Sequence, residues 1–338
     1  MKRILSAILS VAMAASLVAC GSSQSHSSAP ADTPAPSVPA ESAADAPDDK
    51  LTFGLVVMST NSDYWLTLKD GAQEAVDAIG GELVFTGPAD NNDIQGQVSL
   101  MENLINSKVD AILLTPLDSD ALAAPVEKAM DAGIPVIVID SAVNTDKYTS
   151  FIATDNVAGG RMAMERLIES IGGSGEVVVV NALAGIPSND ARGQGAEEYA
   201  ATVDGVTVLP QQHCLDQAEA MTATEYVIIG NPNLKGIFAT FNRGALGAAQ
   251  AIVSKGKAGE IKMVAFDADA DEIRLLEDGT IDALVVQQPY EMGKIGIEYA
   301  VKALNGEEVP KTVAPEVVIA TKDNMNDEAI HKVLYPKG

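Results

Sequence analysis

The feature that most constrains the fold of this chain is a regular alternation of short, mostly apolar segments with longer amphipathic segments. Residues 53–57, 109–114 and 134–139 are short enough to be buried strands. Between them, apolar residues recur at helical spacing, as from Trp65 to Ile79. Strands that are apolar on both faces occur in parallel sheets covered by helices on each side. The alternation therefore predicts an α/β fold with a parallel sheet.

The same alternation starts again after residue 155 and predicts a second sheet. The further predicted strands span 177–180, 206–209, 237–240, 263–266 and 284–286. A chain of 338 residues is long enough for two domains. We therefore predict two similar α/β lobes, each built around a parallel sheet.

The amino-terminal segment has the features of an export signal. Lys2 and Arg3 precede an apolar stretch, 4–18, that is too short to cross a bilayer comfortably. The sequence then reads LVACGSS, which resembles the lipobox of bacterial lipoproteins. This resemblance implies a signal peptide over 1–19 and a lipid-modified Cys20 at the start of the mature protein. The alternative is an ordinary signal peptide with a coincidental cysteine.

Residues 20–50 are rich in Ser, Ala, Pro and Asp and contain few large apolar side chains. Such a segment cannot bury enough surface to offset the entropy of ordering, so we predict a disordered tether. The protein is then extracytoplasmic and lipid-anchored to the cell membrane. The long tether favours the outer face of a Gram-positive cell, and a periplasm is the alternative.

The formal net charge of −25 restricts the partners of the protein. A surface this acidic repels phosphate backbones and anionic lipid, so we expect neither nucleic acid nor electrostatic adhesion to a membrane. If Cys20 is acylated, Cys214 is left without a disulfide partner. The sequence contains no motif for a metal or cofactor, and we expect none to bind.

Polar side chains follow five of the predicted strands. The carboxyl ends of parallel strands meet at one edge of a sheet, where open α/β folds bind ligands. One such residue alone is usually a helix cap. Their repetition in both lobes favours a site in which carboxylates and amides bind hydroxyl groups. The residues are Asp140, Ser141, Asn189, Asp190, Asn242, Arg243, Asp267, Gln287 and Gln288.

The loop after the first predicted strand carries two adjacent aromatic residues, Tyr64 and Trp65, in a chain with only 4% aromatic residues. Neighbouring side chains on a helix point about 100° apart, so the two rings cannot face the core equally. Two interpretations remain open. Either one ring lies in the core and the other at the mouth of the loop, or the pair forms a stacking surface for a ligand.

Several motifs in a shared order resemble the ribose- and galactose-type periplasmic sugar-binding proteins, which are the solute receptors of ABC importers. The resemblance runs from about residue 51 to about residue 318. It rests on LKDGAQ (68–73), TPLDSDAL (115–122), IPVIVID (134–140), ATDNVAGG (153–160), LGAAQAI (246–252) and VAFD (264–267). The segment 86–97, TGPADNNDIQGQ, is similar to the branch that includes rhamnose and autoinducer-2 receptors.

This resemblance implies the type I periplasmic binding protein fold, in which two Rossmann-like lobes joined by a three-strand hinge close on a ligand. The first lobe is expected at 51–154 plus 288–316, and the second at 155–287 plus 317–338. The resemblance also implies a monomer that delivers its ligand to an ABC permease with a separate ATPase.

The resemblance further implies which residues contact the ligand. Tyr64 and Trp65 would be aromatic contacts from the first lobe. Asp140 in the first lobe and Asp267 in the second would accept hydrogen bonds from hydroxyl groups. Gln287 would lie near a crossover between the lobes.

Other positions depart from the pattern of ribose binders. Ser141 and Asp190 stand where those proteins carry arginine, and Phe241 stands where they carry asparagine, with Asn242 beside it. Leu215 occupies a position that is often aromatic. These departures argue against ribose, and the loss of two cations argues against an acidic sugar.

The sequence therefore predicts the solute-binding component of an ABC importer, without enzymatic activity, that binds a small neutral sugar or similar polyol. A receptor for autoinducer-2 or another sensory ligand is the alternative. A carbohydrate-active enzyme is less favoured: Asp140 and Asp267 could imitate the carboxylate pair of a glycosidase, but their placement on two separately moving lobes is better explained by binding. A repressor is disfavoured because 1–50 contains no DNA-reading domain.

Overall fold

The computed structural model describes residues 50–89 and 92–336. The predicted signal peptide over 1–19 and the predicted acylation site Cys20 lie outside these residues, as does the predicted tether except for Lys50. Within the described part of the chain, no helix is both long enough and apolar enough to span a bilayer.

Strands and helices alternate along the chain, as the apolar pattern predicts. The strands are β1 (Thr52–Val56), β2 (Glu82–Thr86), β3 (Ala111–Leu114), β4 (Val136–Ile139), β5 (Ser150–Ile152), β6 (Gly175–Ala182), β7 (Val206–Val208), β8 (Gln212–Cys214), β9 (Leu234–Ala239), β10 (Lys262–Phe266), β11 (Ala283–Val286), β12 (Thr312–Val313) and β13 (Val318–Ala320). The helices are α1 (Asp63–Ala78), α2 (Ile94–Ser107), α3 (Ala123–Asp131), α4 (Asn156–Ser170), α5 (Pro187–Ala200), α6 (Gln217–Gly230), α7 (Asn242–Ser254), α8 (Ala270–Asp278), α9 (Pro289–Leu304) and α10 (Glu328–Leu334).

These strands form two sheets. The first has the order β12-β5-β4-β3-β1-β2, and all of its neighbouring strands are parallel. The second has the order β13-β11-β10-β9-β6-β7, with β8 also paired to β6, and its one antiparallel pair is β11 with β13. We call each sheet with its helices a lobe, the first and the second. The prediction of two lobes with largely parallel sheets is confirmed.

The chain passes between the lobes after β5, after β11 and between β12 and β13. We call these three connections the hinge. The predicted lobe boundaries after residues 154, 287 and 316 fall within them, and the exact division of the chain stays a prediction. After the second crossing the chain returns to the first lobe, where α9 packs against α1.

The central strands are apolar throughout because each one faces two separate cores. In β1, Phe53 lies in the core beneath α1 and α9, whereas Val56 lies in the core on the opposite face of the sheet. In β9, the neighbours Ile237 and Phe238 likewise belong to different cores of the second lobe. Successive side chains of a strand point to opposite faces, so helices on both faces require apolar residues at every position.

Some local features differ from the sequence-based expectations. Ser119, a residue type that favours helix N-caps, does not cap α3, which begins only at Ala123. Its hydroxyl instead donates to the Ala142 carbonyl at 2.7 Å, while the turn is held by Asp118, whose carboxylate accepts the Ala121 N–H at 2.7 Å. The pattern also did not predict β8, β12, β13 or α10, because elements this short carry too few residues to show a period.

Helices α1 and α9 approach closely because glycine occupies their contact. A Cβ atom on Gly71 would lie 1.9 Å from the carbonyl oxygen of Tyr290, and one on Gly293 would lie 2.1 Å from that of Leu68. Since α9 starts directly after the hinge residue Gln288, this contact fixes where the second crossing enters the first lobe.

We expect Gly71→Ala to lower the free energy of unfolding by about 1–3 kcal/mol, because backbone atoms would have to move to admit the methyl group. Urea unfolding would measure this change. Gly230→Ala at the end of α6 is the matched control, since nothing lies within 4 Å of its added Cβ. Alanine favours a helix over glycine, so the control should keep or gain stability. Equal effects of the two substitutions would contradict the close contact of the helices.

Candidate functional site

Asp140 lies directly after β4, at the carboxyl edge of the first sheet. Its φ of 68° is in the left-handed region that residues other than glycine rarely adopt. Its carboxylate accepts hydrogen bonds from the Tyr64 hydroxyl and the Ser141 hydroxyl, each at 3.0 Å. Burial raises the pKa of the Asp140 carboxyl above its usual range. The first lobe thus presents a carboxylate that two hydroxyl donors hold in place.

Asp267 occupies the matching position in the second lobe, directly after β10. The strands β4 and β10 hold equivalent places in the orders of their sheets. Asp267 also has a left-handed backbone, with φ at 85°, and its Oδ1 accepts a hydrogen bond from Gln287 Nε2 at 2.6 Å. Unfavourable backbone conformations tend to be kept at functional sites. Their occurrence at both strand ends marks these two aspartates as a pair.

Gln287 connects the two aspartates at the hinge. It lies in the crossing after β11, and its Oε1 accepts a hydrogen bond from the Thr154 hydroxyl, in the crossing after β5, at 2.7 Å. The same Oε1 lies 3.4 Å from the Tyr64 hydroxyl. Contacts therefore run from Asp140 through Tyr64 and Gln287 to Asp267, and they join both lobes through the hinge.

The two adjacent aromatic residues have different surroundings. Trp65 is 7% exposed and belongs to the core of the first lobe. Tyr64 is half-buried and meets the Trp65 ring edge-on, with ring centroids 4.7 Å apart. Burial, and then the charge of Asp140, raises the pKa of Tyr64 well above its usual value. The structure thus has one ring in the core and the other at the mouth of the loop.

A cavity of about 500 Å³, which we call the interlobe cavity, lies between Ser62 and Tyr64 of the first lobe and the strand ends of the second. Its lining from the second lobe consists of Ala182, Leu183, Ile186, Asn189, Cys214, Leu215, Phe241, Asn242, Arg243, Asp267 and Asp269. A second cavity of about 580 Å³ shares Tyr64, Asp267 and Asp269 with the first, and Gln287 and the C-terminal residues 333–336 also line it.

The interlobe cavity brings together six of the residues predicted from the sequence. They are Tyr64, Asn189, Phe241, Asn242, Arg243 and Asp267. Gln287 lines the second cavity. Trp65, Asp140, Ser141 and Asp190 line neither of these two cavities, although Asp140 is linked to them through the Tyr64 hydroxyl.

Asn189 and Asp190 both lie in the first turn of α5, which starts at Pro187. Asn189 is buried and donates a hydrogen bond to the Thr240 carbonyl at 3.2 Å. The Asp190 carboxylate accepts the backbone N–H of Gly185 at 2.8 Å. In this position Asp190 fixes the loop between β6 and α5, which itself lines the interlobe cavity.

Arg192 lies beside the strand ends of the second lobe, lines neither cavity, and had no definite role in the sequence-based prediction. It is only 6% exposed, and it donates hydrogen bonds to Asn156 Oδ1 and to the Thr240 carbonyl, each at 2.8 Å. Its guanidinium lies 3.8 Å from the centroid of the Phe266 ring. Arg192 thereby ties the start of α4 to the ends of β9 and β10. Its charge also offsets part of the burial that raises the pKa of Asp140.

Two more carboxyl groups follow Asp267. Burial, and then the nearby Asp267, raises the pKa of Asp269 from its ordinary value near 3.8 to about 6. Glu272 is fully buried, and its Oε2 accepts the Asp269 backbone N–H at 3.0 Å. Burial also raises the pKa of Glu272 well above its ordinary value. The second-lobe side of the site is therefore acidic, and the strand-end pattern that identified Asp267 could have identified Asp269.

The chemistry of the site is that of hydrogen bonding. Its polar groups are carboxylates, amides and hydroxyls, with Arg243 as a cation at the rim. Within 50–89 and 92–336, no group of three or more His, Cys, Asp or Glu side chains is placed to hold a metal ion. The arrangement suits a ligand that donates several hydrogen bonds and carries no negative charge.

Comparison with known protein families and sequences gives extended matches. A sequence model for the periplasmic binding protein domain matches residues 53–308. The ribose import binding protein of Bacillus subtilis is 32% identical over 273 residues, which make up 81% of this chain and 88% of that protein.

Solved structures give matches over most of the same region. A solute-binding protein of an ABC transporter from Agrobacterium vitis, bound to α-D-tagatopyranose, has a TM-score of 0.77 at 34% identity. The match covers 85% of this chain and 99% of that chain. Another solute-binding protein from the same organism, bound to D-fucose, has a TM-score of 0.74 at 36% identity and covers 84% and 100% of the two chains.

The raised pKa of Asp269 makes stability depend on pH in a defined direction. Because folding raises the pKa of this carboxyl to about 6, the protonated group stabilises the folded state fully at pH values below its ordinary pKa. This stabilisation is lost as the pH rises through about 6. We expect Asp269→Asn to escape this loss, because asparagine retains the helix N-cap without a charge. After allowance for solvent screening, the gain over wild type at pH 7.5 should be about 1 kcal/mol.

Urea unfolding of wild type and Asp269→Asn at pH 4.5 and pH 7.5 would measure this gain. Asp204→Asn, at an exposed position of the same lobe, is the matched control and should follow wild type at both values. A difference between Asp269→Asn and wild type that does not change with pH would contradict the assignment.

Proposed function

The chain belongs to the periplasmic binding protein family, and from this premise we propose that it is the extracytoplasmic solute-binding component of an ABC importer. We further propose that it binds a small neutral sugar in the interlobe cavity and closes on it. The names of its relatives support this proposal: one is a ribose import binding protein, and two solved neighbours are bound to monosaccharides.

The observation that best supports the proposal is the chain of hydrogen-bonding contacts that connects the two strand-end aspartates. Asp140 and Asp267 come from different lobes, and Tyr64 and Gln287 connect them. A carboxylate offers about four acceptor positions, and the contacts within the protein use only some of them. Hydroxyl groups of one ligand could fill the remaining positions in both lobes. Such a ligand would favour the closed arrangement over the open one.

Each predicted site residue then has a role in the proposal. Asp267 accepts hydrogen bonds from ligand hydroxyl groups in the interlobe cavity, and Asp140, which the Tyr64 hydroxyl links to that cavity, does so when the lobes close on the ligand. Asn242 and Gln287 supply amide groups that can both donate and accept. Asn189 contributes from the buried floor of the second lobe, where it is bonded to the strand end at Thr240.

The remaining residues provide surfaces and support. Tyr64 and Phe241 offer ring surfaces to the carbon skeleton of the ligand. Trp65 supports Tyr64 from the core, and Ser141 orients the Asp140 carboxylate. Asp190 acts on the loop before α5 through its bond to the Gly185 N–H.

We propose an uncharged ligand because of the balance of charges. Asp267 and Asp269 line the interlobe cavity, and Arg243 is exposed at its rim. Two positions at which ribose binders carry arginine are Ser141 and Asp190 here. An anionic ligand would therefore meet a net repulsion, which in a partly buried site costs more than in water.

The wider setting follows from the family and from the amino-terminal sequence. We propose that Cys20 carries a lipid that anchors the protein outside the cell membrane, on the outer face of a Gram-positive cell. The closed monomer would dock on a permease that a separate ATPase powers. The role of the protein is binding, and we propose no catalytic step.

We expect one or more neutral monosaccharides to bind in isothermal titration calorimetry, and mass spectrometry of the purified protein to detect the same class of compound as a retained ligand. Asp267→Asn should weaken that binding by roughly 10- to 100-fold, since a hydrogen bond to a charged acceptor is lost. Asparagine tolerates the left-handed backbone at this position, so the variant should fold.

Asp204→Asn serves as the control in the binding experiment, because Asp204 is exposed on the same lobe. It removes the same charge and should leave the dissociation constant unchanged. Failure of every sugar and polyol in a broad panel to bind would contradict the proposed function. Equal weakening by both substitutions would contradict the role of Asp267.

We expect Cys20→Ser to release the protein from the membrane fraction, because the serine hydroxyl cannot replace the thiol as the site of lipid attachment. Phase separation in detergent, followed by immunoblotting, would measure the distribution. Cys214→Ser is the matched control, since that cysteine is buried in the second lobe and should leave anchoring intact. Continued partitioning of Cys20→Ser into the detergent phase would refute the anchor.

A further inference from the structure

Three large aliphatic side chains are exposed on the second-lobe wall of the interlobe cavity. Leu183 is 43% exposed, Ile186 is 42% exposed and Leu215 is 57% exposed. All three line the cavity, whose other residues include Tyr64 and Asp267. We call these three residues the aliphatic wall. Exposure of such apolar side chains to water is unfavourable, so their position in the cavity indicates a ligand with an apolar part that covers them.

The backbone that carries the aliphatic wall is held by several hydrogen bonds. In the loop before α5, the Asp190 carboxylate accepts the Gly185 N–H at 2.8 Å, and Gly185 has a φ of 97°. Ile186 follows directly, at the N-cap position of α5. In the loop before α6, Leu215 donates its N–H to Glu219 Oε2 at 2.8 Å. The wall is therefore presented by fixed turns, and Asp190 serves it where ribose binders place an arginine.

Several other residues around the same cavity are polar. Tyr64 from the first lobe, and Asn242, Arg243 and Asp267 from the second, can bind hydroxyl groups. A fitting ligand thus has hydroxyl groups on one side and an apolar terminus on the other. A hydroxymethyl terminus set against the aliphatic wall would be buried without a hydrogen-bond partner, whereas a methyl group would be buried without loss.

We propose that the aliphatic wall selects a terminal methyl group, so that the ligand is a deoxy sugar rather than its hydroxymethyl counterpart. This inference rests on the proposed function and deepens it by naming the class of sugar. An apolar site discriminates only moderately against an added hydroxyl group. The preference for the methyl sugar should therefore be about 10- to 100-fold in dissociation constant.

The test compares sugars that differ only at the terminal carbon, by calorimetry on the whole protein. The pairs are D-fucose with D-galactose and L-rhamnose with L-mannose. Whichever sugar of the broader panel binds most tightly is also compared with its own methyl or hydroxymethyl counterpart. The expected result is tighter binding of the methyl member in the pair that binds.

A substitution in the wall gives the second arm of the test. Leu215→Asn supplies an amide that can pair with a terminal hydroxyl, so the preference for the methyl sugar should fall to near one. Ile229→Asn is the matched control, because Ile229 is a 64% exposed aliphatic residue on α6 that does not line the interlobe cavity. The control should keep the wild-type preference.

The outcomes separate the two proposals. If no sugar binds, the proposed function fails and this inference fails with it. If a sugar binds but its hydroxymethyl form is bound equally or more tightly, the function stands and the inference is overturned. That second result would mean that the aliphatic wall is covered by the first lobe on closure. A preference that persists unchanged in Leu215→Asn would also overturn the inference.

Discussion

The site depends on giving hydrogen-bond donors to two carboxylates that the fold partly removes from water. Asp140 and Asp267 end equivalent strands in separate lobes, and a buried carboxylate without donors costs several kcal/mol. Tyr64 and Ser141 supply donors to Asp140, and Gln287 supplies one to Asp267. These donors leave further acceptor positions unused. A solute rich in hydroxyl groups is the natural complement to this arrangement.

The location of these donors joins ligand binding to the movement of the lobes. Gln287 lies in one crossing of the hinge, and its partner Thr154 lies in another. A ligand that bonds to Asp140 and Asp267 therefore acts on groups that also bond across the hinge. Its differential affinity for the closed and open arrangements sets how far the equilibrium moves. The glycine contact holds α1 and α9 close together beside the second crossing of the hinge.

Most of the fold could be predicted from the sequence, because its strands and helices follow from local patterns of apolar residues. Strands that face two cores must be apolar at every position, and this pattern is visible without any knowledge of contacts. The same holds for Asp140 and Asp267, since the end of an apolar strand is a local feature. Periodicity could show only that Tyr64 and Trp65 point in different directions. Which of the two rings lies in the core depends on how α1 rotates against the sheet.

Arg192 and Asp190 show why the remainder of the site was not predictable. The partners of Arg192 are 36 and 48 residues away along the chain, and no spacing rule connects them. The direction of Asp190 depends on α5 starting at Pro187, which turns its carboxylate towards the Gly185 loop. The aliphatic wall was equally hard to predict as a group, because single exposed apolar residues are common on protein surfaces. Their possible role in ligand binding becomes visible only because all three line the same cavity.

The charge balance of the site links these separate features. An arginine beside a carboxylate both neutralises it and offers a planar set of donors. With Ser141 beside Asp140 in place of such an arginine, the buried carboxyl relies on neutral donors, and burial raises its pKa. Asp190 is turned to the loop, so at this point the second lobe presents Leu183 and Ile186 to the cavity, and Arg243 is the cation at its rim. Both features reduce the positive charge next to the site, and the proposed preference for an uncharged ligand follows from them.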